Sequence, residues 1–337
     1  MCVVALSFDP SNVDEKLVVI ANRDEFYARP TLDADWWNKG EVVEEEEEED
    51  QEKQAKKKKK KKKNILGGRD LKRGGAQIAV NNSGRFATVT NFSYETVRGV
   101  KSRGALVTDF LRTSLSPMEY LEQIEPQDYA GFNLIVYDEE TSTLAFLTNR
   151  DEARVGPQIL PPGVYGVSNG TLDEWDKVDF LKSGLSFLQM EEMRHLDEEL
   201  FALLTYGRNK VDGNSFNLRT STCSSRSDSS LPSLVTSDYD EDSDSGHLYY
   251  EDCSDSTFSL ESTTVFEEDP LDELPLAKTK PFLFRPKLGY GTRCSTIVRC
   301  NKNSKWNFIE RRFDQDGSIV GETREIFEAQ LWRELTY

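Results

Sequence analysis

Met1–Pro10 reads MCVVALSFDP and Leu17–Phe26 reads LVVIANRDEF, with the polar stretch DPSNVDEK between them. The first is an unbroken apolar run. The second is β-branched and ends in polar residues. Both are predicted strands, and the turn-rich spacer pairs them as a hairpin. That pairing returns Asn22, Arg23, Asp24 and Glu25 to the side of Cys2.

Further hairpins follow along the chain. AQIAVNNSGRFATVTNF (Ala76–Phe92) has two β-rich arms around Asn81-Asn82-Ser83-Gly84. FNLIVYD (Phe132–Asp138) pairs with TLAFLTN (Thr143–Asn149), and RCSTIVRCN pairs with WNFIERRFD. SRGALVTDFLRTSL (Ser102–Leu115) has helical spacing with Ser102 as its expected N-cap, and MEEMRHLDEELFALLTY is a second predicted helix. Hairpins alternating with helices give an α+β class built on antiparallel sheets layered with helices.

Two segments fall outside that pattern. Residues 41–64 carry an acidic block followed by a lysine block and have no apolar face. Residues 213–268 are rich in Ser, Asp and Glu and poor in aliphatic residues, the composition of a disordered linker. The expectation is one domain over residues 1–337 with two insertions.

The 337 residues carry a formal net charge of −18, the opposite of what meeting nucleic-acid phosphates requires. No run is long enough to span a bilayer, and neither a signal nor a transit peptide is legible, so a cytoplasmic location is expected. Five cysteines without CxxC or zinc-ligand spacing fit a reducing compartment and argue against structural zinc. The histidines are only His195, in the helical stretch, and His247, in the acidic insertion. Neither position suits a Ser-His or Cys-His machine, or a histidine metal site.

A nucleophile here therefore needs another base. If Met1 is removed, Cys2 carries both a thiol and an α-amine, whose ordinary pKa of roughly 7.7–8.0 suits that role. The alternative is a buried structural cysteine at a strand start. Arg23 and Asp24 are a candidate thiolate-stabilising and amine-orienting pair, or a structural ion pair. Asn91 and Asn169 follow strands, where their amides serve an oxyanion or a turn. Arg293 enters a late strand and suits an anionic ligand or an ion pair.

Taken in order, MC, ANRDEFYARP, ADWW, ILGGRDL, GRFATVTNF, SRGALVTDFL, GFNLIVYD, YGVSNGTLDEWDKV and YGTRCST resemble the NRDE protein family, with ADWW and GGRD closest to its fungal branch. The resemblance implies an N-terminal-nucleophile-hydrolase-like fold, a four-layer αββα sandwich of two antiparallel sheets. It implies a distant likeness to cysteine amidases acting on bile salts and penicillin V. On that likeness Cys2 matches the nucleophile, Asn91 and Asn169 the oxyanion residues, and Arg293 a late active-site arginine. The amidases separate their Arg and Asp by two residues, whereas Asn-Arg-Asp-Glu is contiguous here. Either Arg23 pairs with Asp24, or Glu25 takes the aspartate's place. GGAQIAV also stands where many NRDE proteins read GGTWLGV.

For function the resemblance implies a small-molecule binding or trafficking role in Golgi organisation and secretion. The ligand would be haem, acyl-CoA or another lipid, with Cys2 and Arg293 as ligand-binding residues and mitochondrial or Golgi association. No cofactor is required; haem would be carried. The alternative is a cysteine amidohydrolase acting on a small acyl amide.

Overall fold

A computed structural model describes residues 2–37, 64–92, 101–151, 156–190, 196–206 and 278–331. These all belong to one unit formed by Met1–Gly213 and Asp269–Tyr337. The insertion at 213–268, all of 41–64 except Asn64, His195 and His247 lie outside the described residues.

The predicted first hairpin is β1 (Val3–Phe8) and β2 (Leu17–Phe26), paired antiparallel with Val3 opposite Asn22. β1 is buried along its whole length. Its alternation explains the unbroken apolar sequence, because both faces are covered. Val4, Leu6 and Phe8 face the second sheet, whereas Val3 and Ala5 face helices.

The second sheet begins with β3 (Thr31–Trp36) and β4 (Ile65–Asp70), and continues with β5 (Ile78–Asn81), β6 (Arg85–Asn91), β7 (Phe132–Asp138), β8 (Thr143–Thr148) and β9 (Gln158–Ile159) in sequential order. The first sheet is completed by β10 (Gly163–Val167), β11 (Phe284–Arg285), β12 (Tyr290–Cys300), β13 (Lys305–Phe313) and β14 (Ile319–Glu328), ordered β10-β1-β2-β12-β13-β14 with β11 beside β12. Each sheet has seven strands, and every pairing is antiparallel.

One core cluster joins Leu6, Val19 and Trp306 of the first sheet to Phe86, Ile135 and Phe146 of the second. A second fixes α3 (Asp176–Met190) and α4 (Leu196–Leu204) on the outer face of the first sheet, through Val178, Leu181, Leu200 and Phe201. A third does the same for α1 (Arg103–Arg112) and α2 (Pro117–Glu122) on the second sheet, through Val107, Phe110 and Leu121. The layers therefore run helices, sheet, sheet, helices, as expected.

Several local expectations change. Ser102 is the N-cap residue of α1, but its side chain makes no capping hydrogen bond. The capping box sits instead on α2, between Ser116 and Glu119. Of Asn81, Asn82, Ser83 and Gly84, the last residue of β5 and the turn after it, only Gly84 has a positive φ, 76°. The stretch read as a single helix from Met190 supplies the last residue of α3 and all of α4. The body of α3 went unread because the polar SNGTLDEWDK segment masks its start. No described helix is long and apolar enough to cross a membrane.

Candidate functional site around Cys2

Alternation along β2 sorts the NRDE residues. Val18 and Ile20 face the helical layer, and Asn22 and Asp24 continue that face, while Leu17, Val19 and Ala21 point between the sheets and Arg23 continues that one. Adjacent Arg23 and Asp24 thus serve opposite sides of one strand. The alternative of an Arg23–Asp24 pair gives way: Arg23 Nη2 lies 3.7 Å from Glu25 Oε2, and Glu25 also meets Arg29 Nε at 3.4 Å.

Asp24 is buried. Thr292 Oγ1 donates to its Oδ1 at 2.7 Å, and the Tyr290 hydroxyl donates to its backbone carbonyl at 3.2 Å. Burial raises the Asp24 carboxyl above its ordinary range, against the opposing pull of the chain's α-ammonium group, Lys177, the Thr292 bond and Arg23. Cys2 Sγ points at the Asp24 carbonyl, 3.8 Å away. Burial raises the thiol pKa too, opposed by the α-ammonium group and by Arg23. Ser168 Oγ donates to the Cys2 carbonyl at 2.6 Å and ties the start of β1 to the end of β10.

A β-bulge places Thr292 opposite Asp24 and Cys294 opposite Arg23, with Arg293 as the extra residue. Arg293 Nη1 donates to the carbonyls of Arg29 at 2.8 Å and Phe26 at 3.2 Å, so that nitrogen fastens the turn after β2. Asn169 is buried, and its Nδ2 donates to the Asn91 carbonyl at 2.8 Å. The two asparagines are thus brought together, with one amide N–H of Asn169 committed to the other's backbone.

Between the sheets lies a cleft of about 210 Å³, walled by Arg23, Asp70, Gln77, Arg293, Cys294 and Glu310 among others. Arg23 Nη1 and Gln77 Nε2 are buried here without a hydrogen-bond partner among the described residues. Gln77 is the residue that stands where many family members read Trp.

Sequence reasoning missed three contributors. Arg103 donates to the Gly131 carbonyl at 2.9 Å and interacts with Cys2. Thr292 was quoted within YGTR but given no role. Lys177 is fully buried in the first turn of α3, and it interacts with both Asp24 and Cys2. Its signal was a lysine directly behind SNGTLDEWD at a helix start.

The family model for Transport and Golgi organisation 2 matches residues 1–53 and 45–315. The chain belongs to the Transport and Golgi organisation 2 family. It is 33% identical over 195 residues to the Homo sapiens Transport and Golgi organization protein 2 homolog, covering 54% of this chain and 62% of that protein. The Bos taurus homolog is 32% identical over the same length and coverage. The chain therefore spans about six-tenths of the length of these relatives. Among solved structures, a Caenorhabditis elegans N-acylethanolamine-hydrolyzing acid amidase ortholog is 8% identical with a TM-score of 0.40, covering 61% of this chain and 87% of that one. The C2A mutant of a Clostridium perfringens conjugated bile acid hydrolase is 10% identical with a TM-score of 0.37, covering all of both chains. At those scores no chemistry transfers to this Transport and Golgi organisation 2 family member, and its site rests on its own geometry.

Proposed function

We propose that this chain binds a small anionic acyl ligand at the cleft between its sheets, walled by Arg23, Gln77 and Arg293, and that this binding is its part in the transport and Golgi organisation for which its relatives are named. The observation that carries the reading is the pair of buried donors, Arg23 Nη1 and Gln77 Nε2, without partners in the cleft wall. Buried donors left unmade are costly, and a carboxylate or phosphate supplies acceptors of the kind they lack. At about 210 Å³ the cleft is smaller than the roughly 300–1,000 Å³ typical of sites enclosing drug-sized ligands. It suits a headgroup better than an enclosed porphyrin. A thiol raised by burial is also a poor axial thiolate. These points rank an acyl-CoA or fatty acid ahead of haem.

Calorimetric titration of the full chain with a long-chain acyl-CoA, a fatty acid and haemin tests this. An acyl ligand that binds, and loses about tenfold or more in affinity in Arg23→Met and Gln77→Leu, is the expected result. Binding of haemin alone, or unchanged acyl binding in both variants, overturns it.

A second reading is a cysteine amidohydrolase, favoured by the Cys2–Asp24–Thr292 arrangement. With Met1 removed, the Cys2 amine accepts the thiol proton, and the thiolate attacks an amide carbonyl. Intact-protein mass spectrometry showing loss of Met1, together with selective acylation of Cys2 by an activated ester, supports it. Retained Met1 removes the α-amine as base.

A further inference from the structure

β14 (Ile319–Glu328) ends the first sheet, and among the described residues nothing pairs with its outer side. Other sheet ends are blunted. β9 has two residues, β10 has five, and β3 breaks register between Leu32 and Asp35. Short or bulged edges resist pairing with another chain. β14 is ten residues long and contains neither Pro nor Lys. Its one break faces Arg312 and Phe313, which leaves Gly321–Glu328 in regular register with β13.

The backbone of that stretch is open on one side. Ala329, one residue past β14, donates its N–H to the Ser304 carbonyl at 2.8 Å and continues the ladder with β13. By alternation Thr323, Glu325 and Phe327 turn their N–H and C=O groups toward β13, and Glu322, Arg324 and Ile326 turn theirs outward. Arg324 Nη1 meets Asp197 of α4 at 2.7 Å, and Glu322 Oε2 meets Arg311 Nε at 2.6 Å. The two side chains therefore share the face that carries the helices, with Ile326 beside them. Ile326 is 55% exposed, and Ile319 and Val320 at the other end of the strand are 51% and 61% exposed.

The order of these residues matches itself about Thr323. Folded back on a second copy in antiparallel register, Glu322 stands opposite the partner's Arg324, and Thr323 opposite the partner's Thr323. Opposite charges and Thr–Thr pairs are favourable cross-strand neighbours. Ile326 reaches the exposed Ile319–Val320 end of the other copy. Moving the axis by one residue either way sets Glu322 against its own copy or Arg324 against its own, which is unfavourable. We propose that β14 pairs with β14 of a second copy of this chain about a two-fold axis at Thr323, joining two first sheets into one. The partner is self rather than another protein because the charge pattern is complementary to its own reversal. The net charge of −18 repels copies at a distance, and physiological salt screens that repulsion beyond about 8 Å.

Sedimentation equilibrium of the full chain at physiological salt tests this. Wild type is expected to show a concentration-dependent dimer. Ile326→Lys, at an exposed edge position, is expected to weaken it about tenfold or more. Thr323→Cys sets two thiols across a non-hydrogen-bonded pair, with Cα atoms about 4.5 Å apart and within disulfide reach. Under mild oxidation it is expected to give a dimer bridged from position 323 to position 323, read by peptide mass. Glu322→Cys, whose copies lie on a diagonal, is expected to bridge about tenfold more slowly. A monomer at every concentration overturns the proposal. Slow amide exchange at Glu322, Arg324 and Ile326 in that monomer would assign the edge to another segment of this chain. A dimer that neither Ile326→Lys weakens nor Thr323→Cys bridges also overturns it, because the copies then meet elsewhere. Where the two variants disagree, or Ile326→Lys fails to fold, the bridge at position 323 decides.

Discussion

At the scale of single residues, the site is organised by the two-residue repeat of a strand. Asp24 and Arg23 are neighbours in sequence, yet one meets Thr292 under the helical layer and the other lines the cleft between the sheets. Lys177 carries a cost that pH can reveal. Its amine is held near 8 rather than 10.5, so the folded state disfavours the proton that the unfolded chain binds. Between about 8 and 10.5 the unfolded state carries more bound protons, and stability rises with pH across that window. Below about 8 the cost is fully present, up to about 3 kcal/mol. Lys177→Met is therefore expected to raise the melting temperature at pH 7, with the gain shrinking as pH climbs toward 10.5. Melts at pH 7, 9 and 10.5 check this; a gain independent of pH would show that the lysine's charge is not the cause.

Among elements, α1 and the loop between β4 and β5 come backbone to backbone. A Cβ on Gly75 would lie 2.3 Å from the carbonyl carbon of Gly104, and the Ala76 N–H donates to the Gly104 carbonyl at 3.3 Å. Backbone meets backbone there, so no side chain can yield. Gly75→Ala is expected to cost about 2–3 kcal/mol, the upper range for overpacking, in urea unfolding. A loss below 0.5 kcal/mol would mean that α1 shifts freely on the sheet. The second GG of ILGGRDLKRGGAQ, Gly74-Gly75, is visible in the sequence as a pair of glycines. Its reason, a helix backbone lying against it, is not.

Across the whole molecule, apolar packing and a buried ion pair are among the contacts that join the two sheets. Lys16, just before β2, meets Glu139, just after β7, at 2.6 Å. The other Glu139 oxygen accepts from Trp306 Nε1 at 2.7 Å. Removing one partner strands a buried charge. Lys16→Met is expected to cost about 3–5 kcal/mol, and Lys16→Met with Glu139→Gln to regain much of it. Urea denaturation of the single and double variants measures the coupling; additive losses would place this pair outside the set of interactions that hold the sheets together.

The sequence by itself determined the α+β class, most hairpins and the family, because these depend on local periodicity and on motifs contiguous in the chain. It brought Cys2 beside the NRDE segment, since one hairpin register decides that. It left open whether Asp24 or Glu25 serves the Cys2 side. Only the strand's alternation against a helical layer placed Asp24 there and gave Glu25 to the arginines. It left Arg293 and Asn169 with two readings each, site or structure, and did not show that one nitrogen of each donates to backbone carbonyls distant in the chain. Lys177 escaped notice because its meaning is burial, and burial at Asp24 arises from α3 meeting a strand more than 150 residues earlier in the chain. The same holds for Arg23 and Gln77, whose unpartnered donors exist only because two sheets close over them.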